Sequence, residues 1–301
     1  MTSPRRVSFT VEGVTIAGHL HVPEGAARGR SVLLTGPSPQ VKEQAPDTYA
    51  ARFAAAGFRT LTIDHRNFGE SGGEPRLREN PVGKLADLRA AVGFLSARED
   101  VDPDRIAVVG VCAGAGYALK AAAYDPRISA FVGIAGFYPD PAVLRAAMGE
   151  DAYRCALRDA IGVLEREDRG GPVQYLPHVA SEGGTALLRG GEVYEYYGTA
   201  RGHAANYRNQ ITADTSYTML TLDGANAAGL LAPTRALIVH GEKDAYCAPE
   251  QARAVYDRIG GPKEIVWLPT DTHIGFYDDD AYITPAVAAA TGFLGPLAKV
   301  R

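Results

Sequence analysis

The chain has 301 residues, 46% hydrophobic and 22% charged, with 35 acidic against 31 basic side chains and a formal net charge of −4. That length builds one large α/β domain, or one domain with an inserted cap, and a core that needs no disulfide staples. The mild negative charge leaves no electrostatic case for nucleic acid, and no apolar run approaches the length of a membrane span.

The opening Met-Thr-Ser-Pro-Arg-Arg lacks an apolar signal core and leads into an alternating strand. Cys112, Cys155 and Cys247 are far apart and odd in number. No two have metal or redox spacing, which predicts a reducing, cytoplasmic setting with neither metal nor cofactor.

Taken in order, Val7–Val11 and Val14–Val22 alternate apolar and polar around Glu12-Gly13, the pattern of a hairpin at a sheet edge. His19 and His21 share one face of its second strand and are expected to be solvated. Ser31–Thr35 reads as a short buried strand. It ends in the Pro-rich loop Gly36–Glu43, which cannot continue a sheet. An Ala-rich helix follows from Asp47 to Ala56, then a strand from Phe58 to Ile63. In the Asp64–Gly73 loop beyond it, Asp64 and Arg66 are expected to pair and fix the turns. Asn80-Pro81 opens a helix whose Leu85, Leu88, Val92 and Leu95 recur at threes and fours.

The next segment organises the chain. Asp102-Pro103-Asp104 signals a turn, Ile106–Val109 a buried strand, and Tyr117–Tyr124 a helix. Gly110-Val-Cys-Ala-Gly114 lies between them, so Cys112 stands at a strand–turn–helix hinge. This is the nucleophile-elbow pattern with sulfur in place of serine oxygen. The turn is so tight that positions 110 and 114 must lack a Cβ. The helix N-terminus beneath favours a thiolate and any oxyanion formed nearby. An inert, packed thiol is the alternative that the pentapeptide alone leaves open.

Ile128–Ile134 is the next strand, and strands alternate with helices up to that point, which predicts a parallel sheet covered on both faces. From Phe137 to Ala232 the rhythm breaks into irregular, polar helical text with Gly-rich turns. Residues 137–232 are therefore assigned to a cap, and residues 1–136 and 233–301 to the core. Tyr194, Tyr197 and Tyr207 are candidate walls of a partly wet pocket, since a phenol is apolar in body and polar at its tip. His178 and His203 have no recognisable spacing. The sheet resumes at Thr234–His240, with Gly241-Glu-Lys-Asp244 at its end. A helix over Pro249–Ile259, a strand over Glu264–Leu268, the loop to His273 and a helix over Pro285–Leu297 complete the chain.

Cys112, Asp244 and His273 each follow a predicted strand and occur in the order nucleophile, acid, histidine. His273 would take the thiol proton, and Asp244 would hold its tautomer. His240 reads as structural, and Asp271, two residues from His273, as a turn residue. Ala113, after the nucleophile, supplies one oxyanion N–H. Pro37 and Pro39 have none to give, so Ser38 is assigned the other.

The segments Val41-Lys-Glu43, Asp64–Gly72, Gly110–Gly114, His240–Asp244 and His273 together resemble the α/β-hydrolase superfamily. Within it, the chain is similar to the dienelactone hydrolase-like and polyketide transferase-like group with a cysteine nucleophile. The resemblance implies an α/β-hydrolase fold of about eight mostly parallel strands with a helical cap. It also implies a small-molecule, secondary-metabolic and polyketide-like substrate for ester, lactone or thioester hydrolysis or acyl transfer. Relatives carry His-Gly and a further glycine where this chain has Gly36-Pro37 and Pro39. That departure motivates an alternative, a lyase in which His273 abstracts a proton and a carboxylate is lost. A catalytically silent binding protein is the third reading. A homodimer is compatible with the text, which has no motif that decides oligomeric state.

Overall fold

The computed structural model describes residues 3–24 and 29–295. The N-terminal hairpin is β1 (Arg5–Val11) and β2 (Val14–His21), and it leads to β3 (Gly29–Thr35), α1 (Ala45–Ala55), β4 (Arg59–Ile63), α2 (Pro81–Ser96), β5 (Val101–Val111), α3 (Ala113–Tyr124) and β6 (Ile128–Ile134). Next come α4 (Pro141–Met148), α5 (Glu150–Asp168), the two-residue strands β7 (Tyr175–Leu176), β8 (Val179–Ala180) and β9 (Leu188–Arg189), α6 (Gly191–Tyr197), β10 (Ile211–Thr212), α7 (Thr215–Thr221) and a 3₁₀ turn at Ala225–Leu230. The sheet resumes with β11 (Arg235–Gly241), α8 (Pro249–Arg258), β12 (Lys263–Leu268), α9 (Gly275–Asp278) and α10 (Asp280–Leu294).

Among the described residues, eight strands form one sheet in the order β1-β2-β4-β3-β5-β6-β11-β12. Within that sheet, only the pairings that β2 makes, with β1 and β4, are antiparallel. Successive side chains of a strand point to opposite faces. Leu33, Val108, Phe131 and Ile238 therefore meet α2, α3 and α8 on one face. Val32, Val109, Val132 and Val239 meet α1 and α10 on the other. No described helix is long and apolar enough to cross a membrane.

Several expectations are corrected. The strand at 101–111 runs through the turn signal at Asp102-Pro103-Asp104. There, Gly29 pairs with Val101 but Ser31 pairs with Ile106, so residues 102–105 form an irregularity that accommodates a proline without a ladder N–H. The last helix begins at Asp280, with Asp279 capping the Ala281 N–H at 2.8 Å, and carries Pro285 inside it. Leu297, its expected end, lies outside the described residues. Asp64 does not pair with Arg66. It binds the Lys42 ammonium at 2.7 Å and the Lys42 N–H at 2.8 Å, whereas Arg66 Nε reaches Asp87 at 2.9 Å. The loop is fixed, but by partners from other elements.

His19 and His21 are not solvated. Both reach the Asp47 carboxylate of α1, at 2.7 and 3.1 Å, because α1 lies over β2, and Thr62 of β4 donates to it at 2.7 Å. Although burial opposes its charge, these contacts hold the Asp47 carboxyl at about 2. A carboxyl depressed below its unfolded value of about 3.9 contributes stability above that pH and loses it as pH falls towards 2. Asp47→Asn is expected to destabilise the fold by roughly 2 kcal/mol at pH 7. Urea unfolding from pH 7 down to pH 2.5 should show this difference shrinking; a constant difference would refute the linkage.

Candidate active site

The first β5–α3 residues set the geometry. Cys112 has φ 52° and ψ −123°, a backbone conformation that is strained for a residue with a side chain. A Cβ on Gly110 would lie 2.4 Å from Ala115 Cα, and one on Gly114 would lie 2.4 Å from the Thr35 carbonyl oxygen. The two glycines let the helix start pass against β3. Gly114→Ala would force backbone from backbone. It is expected to cost about 3 kcal/mol in urea unfolding, and a loss below 1 kcal/mol would mean that the elbow is less tightly packed than this.

Cys112 is half-buried at the floor of a cavity of about 140 Å³. His273, after β12, and Asp244, after β11, approach the same floor. His273 Nδ1 lies 2.7 Å from Asp244 Oδ2, and both side chains are buried. Asp244 Oδ1 accepts the backbone N–H groups of Tyr246 and Cys247 at 2.9 and 2.8 Å, which locks the carboxylate. His273 Nε2 faces the Tyr277 hydroxyl at 2.9 Å and the Cys247 sulfur at 3.9 Å. The Cys112, Cys247 and His273 ligating atoms all lie within 4.8 Å of one another.

The electrostatics follow from these contacts. The Cys247 thiol beside Cys112, with the His273 charge, holds the Cys112 thiol well below its ordinary value despite burial. Burial, reinforced by the Cys112 sulfur, drives the Cys247 thiol the other way, so Cys247 keeps the proton and donates it. On His273, burial opposes charge, but the Cys112 sulfur and the Asp244 carboxylate outweigh it and raise its pKa to about 10. These directions favour a thiolate on Cys112 beside a protonated His273.

Ala113, the first residue of α3, and Ser38 line the same cavity. The Ser38 hydroxyl donates to Glu79, and Lys84 Nζ reaches it at 3.0 Å, so its side chain is held away from other roles. Of the three tyrosines picked from the sequence, Tyr197 lines the cavity. Tyr207 is not among the lining residues; its hydroxyl binds His178 Nδ1 at 2.9 Å. Tyr194 is also outside the lining, its ring against Gly198. Apolar residues from 137–232, including Leu187, Val193, Met219 and Leu222, form the facing wall. Toward the other end of that span, Ala225, Ala227 and Ala228 pack into the core with α3 and α8.

Sequence reasoning missed three residues. Cys247 stands 4.0 Å from Cys112, sulfur to sulfur, although 135 positions separate them. Glu192 of α6 accepts the His273 N–H at 2.8 Å, tying the 137–232 span to the histidine loop. Glu79 is buried at the cavity's polar end with Lys84 and Tyr117. The turn after Asp244 was the one available signal for Cys247.

A model of the alpha/beta hydrolase family matches residues 32–284. The chain belongs to the alpha/beta hydrolase family. It is 30% identical over 285 residues to the uncharacterized protein PA2218 of Pseudomonas aeruginosa, covering 91% of this chain and 76% of that protein. The crystal structure of PA2218 superposes with a TM-score of 0.85 at 28% identity over 97% of this chain and 92% of that one. Polyketide transferase claH of Penicillium crustosum is 30% identical over 94% of both chains. Acyltransferase drtE of Aspergillus calidoustus is 27% identical over 94% of this chain and 92% of its own. The expected fold, a mostly parallel eight-stranded α/β-hydrolase sheet, is borne out by the family match and these structural relatives.

Proposed function

We propose that this family member is a cysteine-dependent acyl-handling enzyme, acting on an ester, lactone or thioester of a small secondary metabolite of polyketide type. One observation carries the reading. A strained, thiolate-favouring Cys112 shares a mainly apolar cavity with an Asp244-oriented His273. Relatives named as a polyketide transferase and an acyltransferase support the substrate class.

In the proposed reaction the Cys112 thiolate adds to the acyl carbonyl, and the π pair moves onto oxygen. The N–H groups of Ala113 and Ser38 receive that oxyanion; such a donor contributes about 3 kcal/mol to the transition state. Collapse expels the leaving oxygen or sulfur, which takes a proton from imidazolium His273. Neutral His273 then takes a proton from water or an acceptor alcohol or thiol as that nucleophile attacks the acyl-cysteine, and the thiolate leaves. Asp244 stays ionised throughout and supports the charged ring. Residues 137–232 act as the cap over the site, with Tyr197 as its aromatic wall.

Intact-mass measurement after brief exposure to short-chain acyl thioesters and activated esters tests this. An acyl adduct on wild type that is absent from Cys112→Ala is expected. Turnover that survives in Cys112→Ala but disappears in His273→Ala would overturn it in favour of elimination, and no adduct or turnover across the panel would favour a binding protein.

A further inference from the structure

Cys247 makes and breaks no covalent bond in the acyl chemistry, yet its sulfur stands between the other two groups. Cys112 Sγ to Cys247 Sγ is 4.0 Å, and Cys247 Sγ to His273 Nε2 is 3.9 Å. Tetrahedral zinc, with bonds of about 2.3 Å to sulfur and about 2.0 Å to nitrogen, sets sulfur–sulfur edges of ~3.8 Å and sulfur–nitrogen edges of ~3.5 Å. Two edges of such a site are therefore already formed to within a few tenths of an ångström, and the third pair lies within 4.8 Å.

We propose that Cys112, Cys247 and His273 form a binding site for a soft divalent cation of the zinc class, which silences the acyl site when it binds. Two thiolates and an imidazole select zinc over magnesium or calcium, which want oxygen. The outer shell is in place as well. Asp244 holds His273 Nδ1 at 2.7 Å, which leaves Nε2 free to ligate, as in carboxylate–histidine–zinc triads. Nε2 exchanges its contact with the Tyr277 hydroxyl for the metal. Binding sends the Cys247 thiol proton and the imidazolium Nε2 proton to solvent. Three protein ligands leave one position for water. The metal-binding half of this proposal stands on geometry alone; the silencing half rests on the acyl reading, since a coordinated Cys112 sulfur cannot attack a carbonyl.

The test uses the metal-free full chain. Titration with cobalt(II) chloride is expected to raise a thiolate-to-cobalt charge-transfer band that saturates at one cobalt per chain, and zinc chloride should abolish it. Cobalt bound at an oxygen or imidazole cluster such as His19, His21 and Asp47 has no such band. Cys247→Ala should weaken the band and lower zinc affinity by at least the roughly 10- to 100-fold that loss of a supporting group costs. Asp244→Asn should weaken it by about 10- to 100-fold. In wild type, zinc should slow iodoacetamide labelling of Cys112 and Cys247 together and leave the exposed Cys155 unaffected. This last readout decides the matter if Cys247→Ala fails to fold. Absence of the band, zinc affinity unchanged by Cys247→Ala, or labelling of Cys112 and Cys247 indifferent to zinc would overturn the site. Cobalt binding without any acyl adduct would instead overturn the acyl reading and leave the metal site standing.

Discussion

Cys112→Ala is expected to lower acyl turnover by roughly 10⁴- to 10⁶-fold, the scale on which a nucleophile acting with its base is lost as a unit. The alanine keeps the Cβ and the backbone, so the cavity, the Ala113 N–H and the His273–Asp244 pair persist. What disappears is the one atom that can bond the acyl carbon. Cys112→Ser should recover only part of the rate, because a hydroxyl does not ionise beside His273 as the thiol does. A third variant separates strain from chemistry. At φ 52° a side chain costs about 1 to 3 kcal/mol that glycine does not incur. Cys112→Gly should therefore be as inactive as Cys112→Ala but more stable in urea by about 1 kcal/mol, after the glycine entropy cost. Steady-state kcat/KM with a thioester reads the first effect. A Cys112→Ala enzyme within tenfold of wild type would sink the covalent mechanism.

What the amino-acid text disclosed depended on the range of each interaction. The strand Ile128–Ile134 and the glycines at 110 and 114 were legible because local chain chemistry dictates them. The approach of His273 to Asp244 was legible because the order of strands and their following loops constrains topology. Partners supplied across the fold were not. Asp64 finds Lys42 rather than Arg66, and Arg66 finds Asp87, since these choices depend on which loops stack at the sheet edge. The same limit hid Cys247. Its spacing from Cys112 carries no motif, and only the turn pinned by Asp244 brings its sulfur under the elbow. Among the tyrosines, periodicity gave no means of separating Tyr197, at the cavity, from Tyr207, which is held by His178. Pro285 misled for a physical reason. Proline prefers the first helical turn, but the Asp279 cap starts this helix earlier.

Asp244→Asn is expected to reduce kcat by about 10³- to 10⁴-fold, in line with the loss known when a triad carboxylate becomes an amide. The cause lies in the bonds of this carboxylate. One oxygen accepts two backbone N–H groups, from Tyr246 and Cys247, while the other faces His273 Nδ1 at 2.7 Å. In the variant the amide oxygen must keep the backbone pair, which turns the NH₂ group toward Nδ1. Two donors cannot meet, so the ring must accept there and carry its proton on Nε2. A neutral ring protonated on Nε2 can neither take a proton from an acceptor nucleophile nor gain support when it is charged. The backbone contacts survive, so the chain should still fold, less stable by the lost Asp244–His273 pair, and a single cooperative urea transition is the control. Asp271, the other carboxylate near the histidine in sequence, is exposed, and Asp271→Asn should remain close to wild type. The comparison discriminates because both substitutions remove one negative charge within the same loop cluster. Only a directed bond to Nδ1, rather than general charge near the imidazole, predicts that one lowers turnover by orders of magnitude and the other leaves it intact; equal effects from the two would remove Asp244 from the mechanism.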